Sequence, residues 1–183
     1  MRWLVRMAGV LAAVFCIGSG PLNAADLENT LYLDLDWGRV VIEMRPDLAP
    51  KHVARIKQLV RQKFYDGLAF HRVIRGFMAQ TGDPNGDGTG GSGVKIPAEF
   101  TDTPHVRGVV SMARARDPDS ADSQFFIVLD DARHLDGQYT VWGKVVKGME
   151  YVDRIKKGLT SENGMVHDPD HIKTLRVAAD VEE

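Results

Sequence analysis

Between Phe70 and Asp83 the chain sets a charged donor, Arg72, and a neutral amide, Gln80, among bulky apolar side chains that include Phe77 and Met78. A guanidinium is planar, carries five N–H donors and stays protonated at any working pH, whereas an amide both donates and accepts. Taken singly, Arg72 reads as a solvated or ion-paired arginine, Gln80 as polar surface and Phe77 as core. Further runs follow: Ser111 to Arg114, Ser123 to Ile127, Leu135 to Gly137 and Trp142 to Val145. It is their joint arrangement that overturns the single readings. No nucleophile stands among them: Cys16 is the single cysteine and there is no G-x-S-x-G, so nothing suggests acyl chemistry.

Other clusters are decoys. Asp83 to Gly88 begins like a calcium loop, but its twelfth position, where a bidentate glutamate belongs, is Val94. Gly88 to Gly93 fits G-x-G-x-x-G, yet Val94 to Pro97 cannot open a helix toward a pyrophosphate. The stretch is expected to be a flexible loop. His167 and His171 flank Pro169, which prevents the helix that would bring both imidazoles to one face. No metal and no cofactor are expected.

In the order they occur, these motifs resemble the cyclophilin family of peptidyl-prolyl cis–trans isomerases, in its bacterial exported branch, from about Leu31 to Val177. The resemblance implies a mainly β fold, a closed eight-stranded antiparallel barrel capped by two α-helices, with the active groove on its outer face. It also implies roles. Arg72 matches the catalytic arginine, and Gln80 is grouped with it. Phe77, Met78, Phe126 and Leu135 match the walls of a proline pocket. Gln80, the Arg114 main chain and Gln124 match groups that hold the substrate backbone, while Ala113 and Ala115 line the groove. The implied partners are proline-containing segments of unfolded or partly folded exported proteins.

The chemistry has its own logic. Rotating a peptide bond means breaking amide resonance, at roughly 18–20 kcal/mol, and needs neither covalent intermediate nor proton transfer. A fixed donor that binds the twisted amide better than either planar isomer would suffice. Two departures bear on ligands: His134 stands where many eukaryotic relatives have tryptophan, and Tyr139 replaces a groove histidine. Cyclosporin relies partly on that tryptophan, so weak binding of the drug is expected. A competing reading is a chaperone-like module that holds chains without turnover, although pure binding would need only the apolar cup.

The elements that must position these residues read from periodicity. Leu31, Leu33 and Leu35 alternate with polar residues, Gly38 breaks the run, and Val40, Ile42 and Met44 resume it, which predicts a hairpin. Val53, Ile56, Leu59 and Val60 fall on one helical face behind Pro50. Strands are predicted over 69–74, 77–81, 108–113, 124–129, 139–146 and 171–177, and a second helix from Met149, ending at Gly158.

Residues 1–24 are expected to be a signal peptide and 25–183 the single isomerase domain. Arg2 and Arg6 precede an uncharged run, Met7 to Ile17, and small residues up to Ala25, the pattern of a cleavable secretory leader. Its removal would leave a cysteine-free chain of net charge −4, suited to the periplasm and to no membrane. The intact chain carries −2 over 183 residues, which gives no general pull toward nucleic acid. A monomer is expected.

Overall fold

The computed structural model describes residues 24–181, so the predicted signal peptide, Ala24 apart, lies outside the described residues. A short helix α1 (Ala24–Glu28) leads into β1 (Thr30–Leu35), which pairs with β2 (Gly38–Met44) from Thr30↔Glu43 to Leu35↔Gly38. The alternation works as expected: Leu31, Leu33, Val40, Ile42 and Met44 are buried. Gly38 also makes room for the Tyr151 ring, which any side chain at the turn would strike.

Helix α2 (Pro50–Arg61) buries His52, Val53, Ile56, Leu59 and Val60 against the sheet. Its N-cap residue, Ala49, has no side-chain oxygen to offer. The carboxylate of Glu99, distant in sequence, accepts instead from the Lys51 and His52 amides at 3.1 and 3.0 Å.

The remaining strands are β3 (Arg72–Ile74), β4 (Met78–Thr81), β5 (Val109–Met112), β6 (Phe125–Val128), β7 (Val141–Lys147) and β8 (Thr174–Val177). Together they form one antiparallel sheet in the order β3-β4-β6-β5-β7-β2-β1-β8. The expected closed barrel is therefore corrected to an open half-barrel, with β3 and β8 as its edges. Two isolated bridges, Ala69↔His171 and Arg72↔Met165, and bonds such as Phe70 N–H to Asp170 O span the gap. Pro169, which has no N–H to donate, lies between those two bridges.

The second capping helix is also shorter than expected. Helix α3 (Met149–Val152) makes one turn. Beyond it the Lys156 amide donates to the Asp170 carboxylate at 2.7 Å rather than to the preceding turn, which ends the helix before Gly158.

Strand β6 explains how one sheet serves two purposes. Phe125 and Ile127 enter the main core, while Phe126 and Val128 point the other way, into a smaller cluster with Met78, Val109, Ala132, Leu135 and Val141. That second face is where the predicted site residues gather.

Candidate active site

Strand register aligns the site. Arg72 on β3 stands opposite Gln80 on β4, Gln80 opposite Phe126 on β6, and Phe126 opposite Ser111 on β5. Met78, two residues from Gln80, shares its face. A recess of about 160 Å³ opens there, lined by Arg72, Phe77, Met78, Gln80, Ala113, Arg114, Phe126, Leu135 and Tyr139. Phe126 and Leu135 are nearly fully buried, whereas Arg72 and Phe77 are half-buried at the mouth.

A chain of amides fixes Gln80. Its Nε2 donates to Gln124 Oε1 at 2.9 Å, and Gln124 Nε2 donates to the carbonyls of Gly88 and Gly90 at 3.0 and 2.8 Å. This leaves Gln80 Oε1 to accept from Arg72 Nη1 at 3.1 Å. The glycine-rich loop that does the holding is itself anchored, not free. Asp83, 1% exposed, accepts from the amides of Asn85, Asp87 and Gly88, so this carboxylate organises its own loop.

Other predicted residues lie around the recess. Gln124 and Ala115 line an adjoining hollow of about 180 Å³ with Thr89, Lys95, Ser120 and Asp122. The Arg114 side chain folds back, donating to Gln138 O at 2.9 Å with its guanidinium 4.6 Å from the Tyr139 ring. His134 is exposed and does not line the recess, but its ring rests 5.4 Å from Phe77.

Two features escaped the sequence reading. Asn163 meets Arg72 from a loop 91 residues away: Arg72 Nε donates to Asn163 O at 2.9 Å and Nη2 to Asn163 Oδ1 at 3.0 Å. The Asn163-Gly164 pair was a turn signal, but nothing in it names the strand it would face. Three of the five guanidinium N–H groups thus go to neutral oxygens and a fourth, on Nη1, faces Met78 Sδ at 3.9 Å, which leaves one on Nη2. Among the described residues no carboxylate offsets the Arg72 charge, and burial lowers its pKa from the ordinary arginine value. Ordinary arginine values are so high that the side chain remains charged.

The second is a buried relay behind the pocket. His105 Nδ1 lies 3.1 Å from Asp136 Oδ1, and its Nε2 lies 3.0 Å from Ser111 Oγ, which donates to Thr140 O. The His105 ring stacks on Phe126 at 6.3 Å and meets Tyr139 edge-on at 6.5 Å. Burial lowers the His105 pKa against the opposing pull of Asp136. Asp136 itself is held down to about 2, chiefly by its hydrogen bond from Arg133 and by the His105 amide.

Comparison with known proteins bears on what this groove is. Residues 30–177 match the family described as cyclophilin type peptidyl-prolyl cis-trans isomerase/CLD. The chain is 54% identical to a probable peptidyl-prolyl cis-trans isomerase of Brucella suis, over 96% of this chain and 97% of that one. It is 45% identical to peptidyl-prolyl cis-trans isomerase B of Bacillus subtilis, over 67% of this chain and 87% of the other. Among solved structures it is similar to a cyclophilin of Hirschia baltica, with TM-score 0.76 and 28% identity over 86% of this chain and 76% of that one. It is also similar to a Cryptosporidium parvum cyclophilin type isomerase crystallised in the presence of the dipeptide Ala-Pro. There the TM-score is 0.74, with 28% identity over 81% of this chain and 98% of the other.

Proposed function

Because the chain belongs to the cyclophilin type peptidyl-prolyl cis-trans isomerases, we propose that it turns X-Pro bonds of exported proteins using Arg72 as the donor to the twisted amide. One observation carries the assignment of Arg72: a guanidinium with no carboxylate partner among the described residues, at the mouth of an apolar recess.

Phe77, Met78, Phe126 and Leu135 supply an apolar cup of a size that suits a pyrrolidine ring, the kind of ligand present with the Cryptosporidium relative. With the ring gripped, the preceding carbonyl is free to swing. As conjugation is lost, the lone pair localises on the prolyl nitrogen and becomes a better acceptor. The uncommitted N–H of Arg72, with the one that faces only the Met78 sulfur, then gains strength in the transition state that it lacks in either planar isomer. The apolar walls lower the local dielectric and strengthen this contact. Gln80, fixed through Gln124, holds the guanidinium and the substrate backbone in one frame.

The test is turnover of an X-Pro reporter peptide by wild type and by Arg72→Ala. The substitution is expected to lower kcat/KM about 10²-fold or more, the scale of losing one preorganised donor. Unchanged activity would sink the mechanism, and an inactive wild type would favour the holding-only alternative. Arg72 does not titrate near neutrality, so activity should be almost flat between about pH 6 and 9. A steep slope there would bring in His71 or another group outside this mechanism. Weak cyclosporin binding is part of the same reading, since His134, which leans on Phe77, stands where many eukaryotic relatives have tryptophan. Export rests on the sequence of residues 1–24, and cell fractionation with N-terminal sequencing checks it: a chain found in the cytoplasm and still beginning at Met1 would overturn it.

A further inference from the structure

At five other places an arginine fork is filled by a carboxylate, while Arg114, beside the same recess, turns its Nε and Nη2 to the Gln138 carbonyl. Arg39 sends Nε and Nη2 to the two oxygens of Asp34, Arg45 does the same with Asp47, and Arg61 bonds Asp180 through both nitrogens. Arg107 takes Asp153 and Arg176 takes Asp66, each through both terminal nitrogens. At Arg72 that same Nε/Nη2 edge meets the main-chain and side-chain oxygens of Asn163, two acceptors in a carboxylate-like array that carry no charge.

The array is built deliberately into the loop. Asn163 closes the short turn Thr160–Glu162 in a left-handed conformation, φ 54°, which asparagine tolerates better than most side chains. The loop is fastened to β3 next to Arg72 on both backbone groups of Val73: its N–H donates to Gly164 O at 2.8 Å, and its carbonyl accepts from the Gly158 amide at 3.0 Å. A side chain at Gly164 would run into Ile74, so the approach is close. The neighbouring carboxylate, Glu162, is drawn away to His167 Nε2 at 2.6 Å.

We propose that Asn163 is a positioning residue that fixes the Arg72 guanidinium at the recess mouth while leaving its positive charge undivided for the substrate. The inference rests on the assignment of Arg72 given above. A carboxylate at the same place would hold the side chain at least as firmly but would share its charge, stabilising the ground state and weakening the pull on the twisted amide.

The experiment compares Asn163→Asp and Asn163→Gly with wild type in a protease-free X-Pro isomerisation assay, alongside thermal melting. Asp keeps the size, the two oxygens and a fair tolerance of the left-handed turn. Gly keeps the turn and the main-chain oxygen but loses Oδ1. Charge preservation predicts the order wild type, Gly, Asp in kcat/KM, with Asp lower by about tenfold or more at unchanged melting temperature, mostly in kcat. A merely structural role predicts the reverse, with Asp as good as wild type and Gly worst, and that order would overturn the proposal. Full activity in Asn163→Asp overturns it equally. Loss of activity in Arg72→Ala with full activity in Asn163→Asp would sink this inference alone, whereas an active Arg72→Ala would sink the assignment beneath it.

Discussion

At the scale of single residues, a serine 3.0 Å from a histidine nitrogen, with a carboxylate on the other nitrogen, has the connectivity of a nucleophilic triad. Burial decides otherwise. Ser111 and His105 are 0% exposed, so no carbonyl can approach, and the serine proton is already given to Thr140 O. The relay instead backs Phe126 and Tyr139. Two results are expected: a serine-directed phosphonate leaves the protein unlabelled, and Ser111→Ala costs about 1–3 kcal/mol in denaturant unfolding by stranding His105 Nε2. Labelling at Ser111 would contradict this account. Sequence made Arg72, Gln80 and the cup legible because motif order carries them, and strand register then sets Arg72, Gln80 and Phe126 in a row. It did not make Asn163 or the Ser111–His105–Asp136 relay legible, since both are tertiary contacts whose partners share no local pattern.

At the scale of elements, α2 shows how a helix can lack a local cap and still be capped. Proline in its first turn and the 3.6 period fixed its place, but Ala49 gave no hint that Glu99 would reach its amides. Glu99 also bonds His52 Nδ1 at 2.7 Å. Burial alone would raise the Glu99 pKa, yet bonds from His52 and from the His52 and Lys51 amides outweigh it and the net shift is downward. A depressed carboxylate contributes stability that is full above its unfolded value, 4.5, and lost as pH falls through the folded one. Glu99→Ala should therefore cost about 1–3 kcal/mol at pH 7, measured by the urea midpoint, and the gap from wild type should narrow below about pH 4.5. An unchanged gap at low pH would mean that the contact is not ionic. The second capping helix was overread for a related reason: its period was right, but Asp170 takes the Lys156 amide away from the helix.

At the scale of the whole molecule, three buried histidines set the response to acid. Burial lowers the pKa of His52, His71 and His105 below the ordinary 6.5, against smaller opposing effects of nearby carboxylates. The unfolded chain takes protons at these sites near pH 6.5 while the folded chain still resists. Below 6.5 the unfolded state thus binds more protons, and stability falls as pH is lowered. Thermal melting at pH 7 and pH 5 should show a lower midpoint at pH 5, and replacing His71 with glutamine should reduce that difference. Equal midpoints would show that the histidines protonate without cost. The antiparallel sheet itself was readable from one alternating hairpin and six further strand-like runs, but its failure to close was not, because closure depends on how two short edge strands meet in space.

Those edges have a consequence for a protein that handles extended chains. An exposed strand edge is a template on which another unfolded polypeptide can add itself, and an isomerase meets such polypeptides constantly. Here β3 is occupied on its outer side by the loop at Val73, and on β8 the Leu175 amide is taken by the Asp66 carboxylate at 3.1 Å with Arg176 alongside. The same loop that bonds Arg72 therefore also covers the outer edge of β3, where another extended chain could otherwise pair.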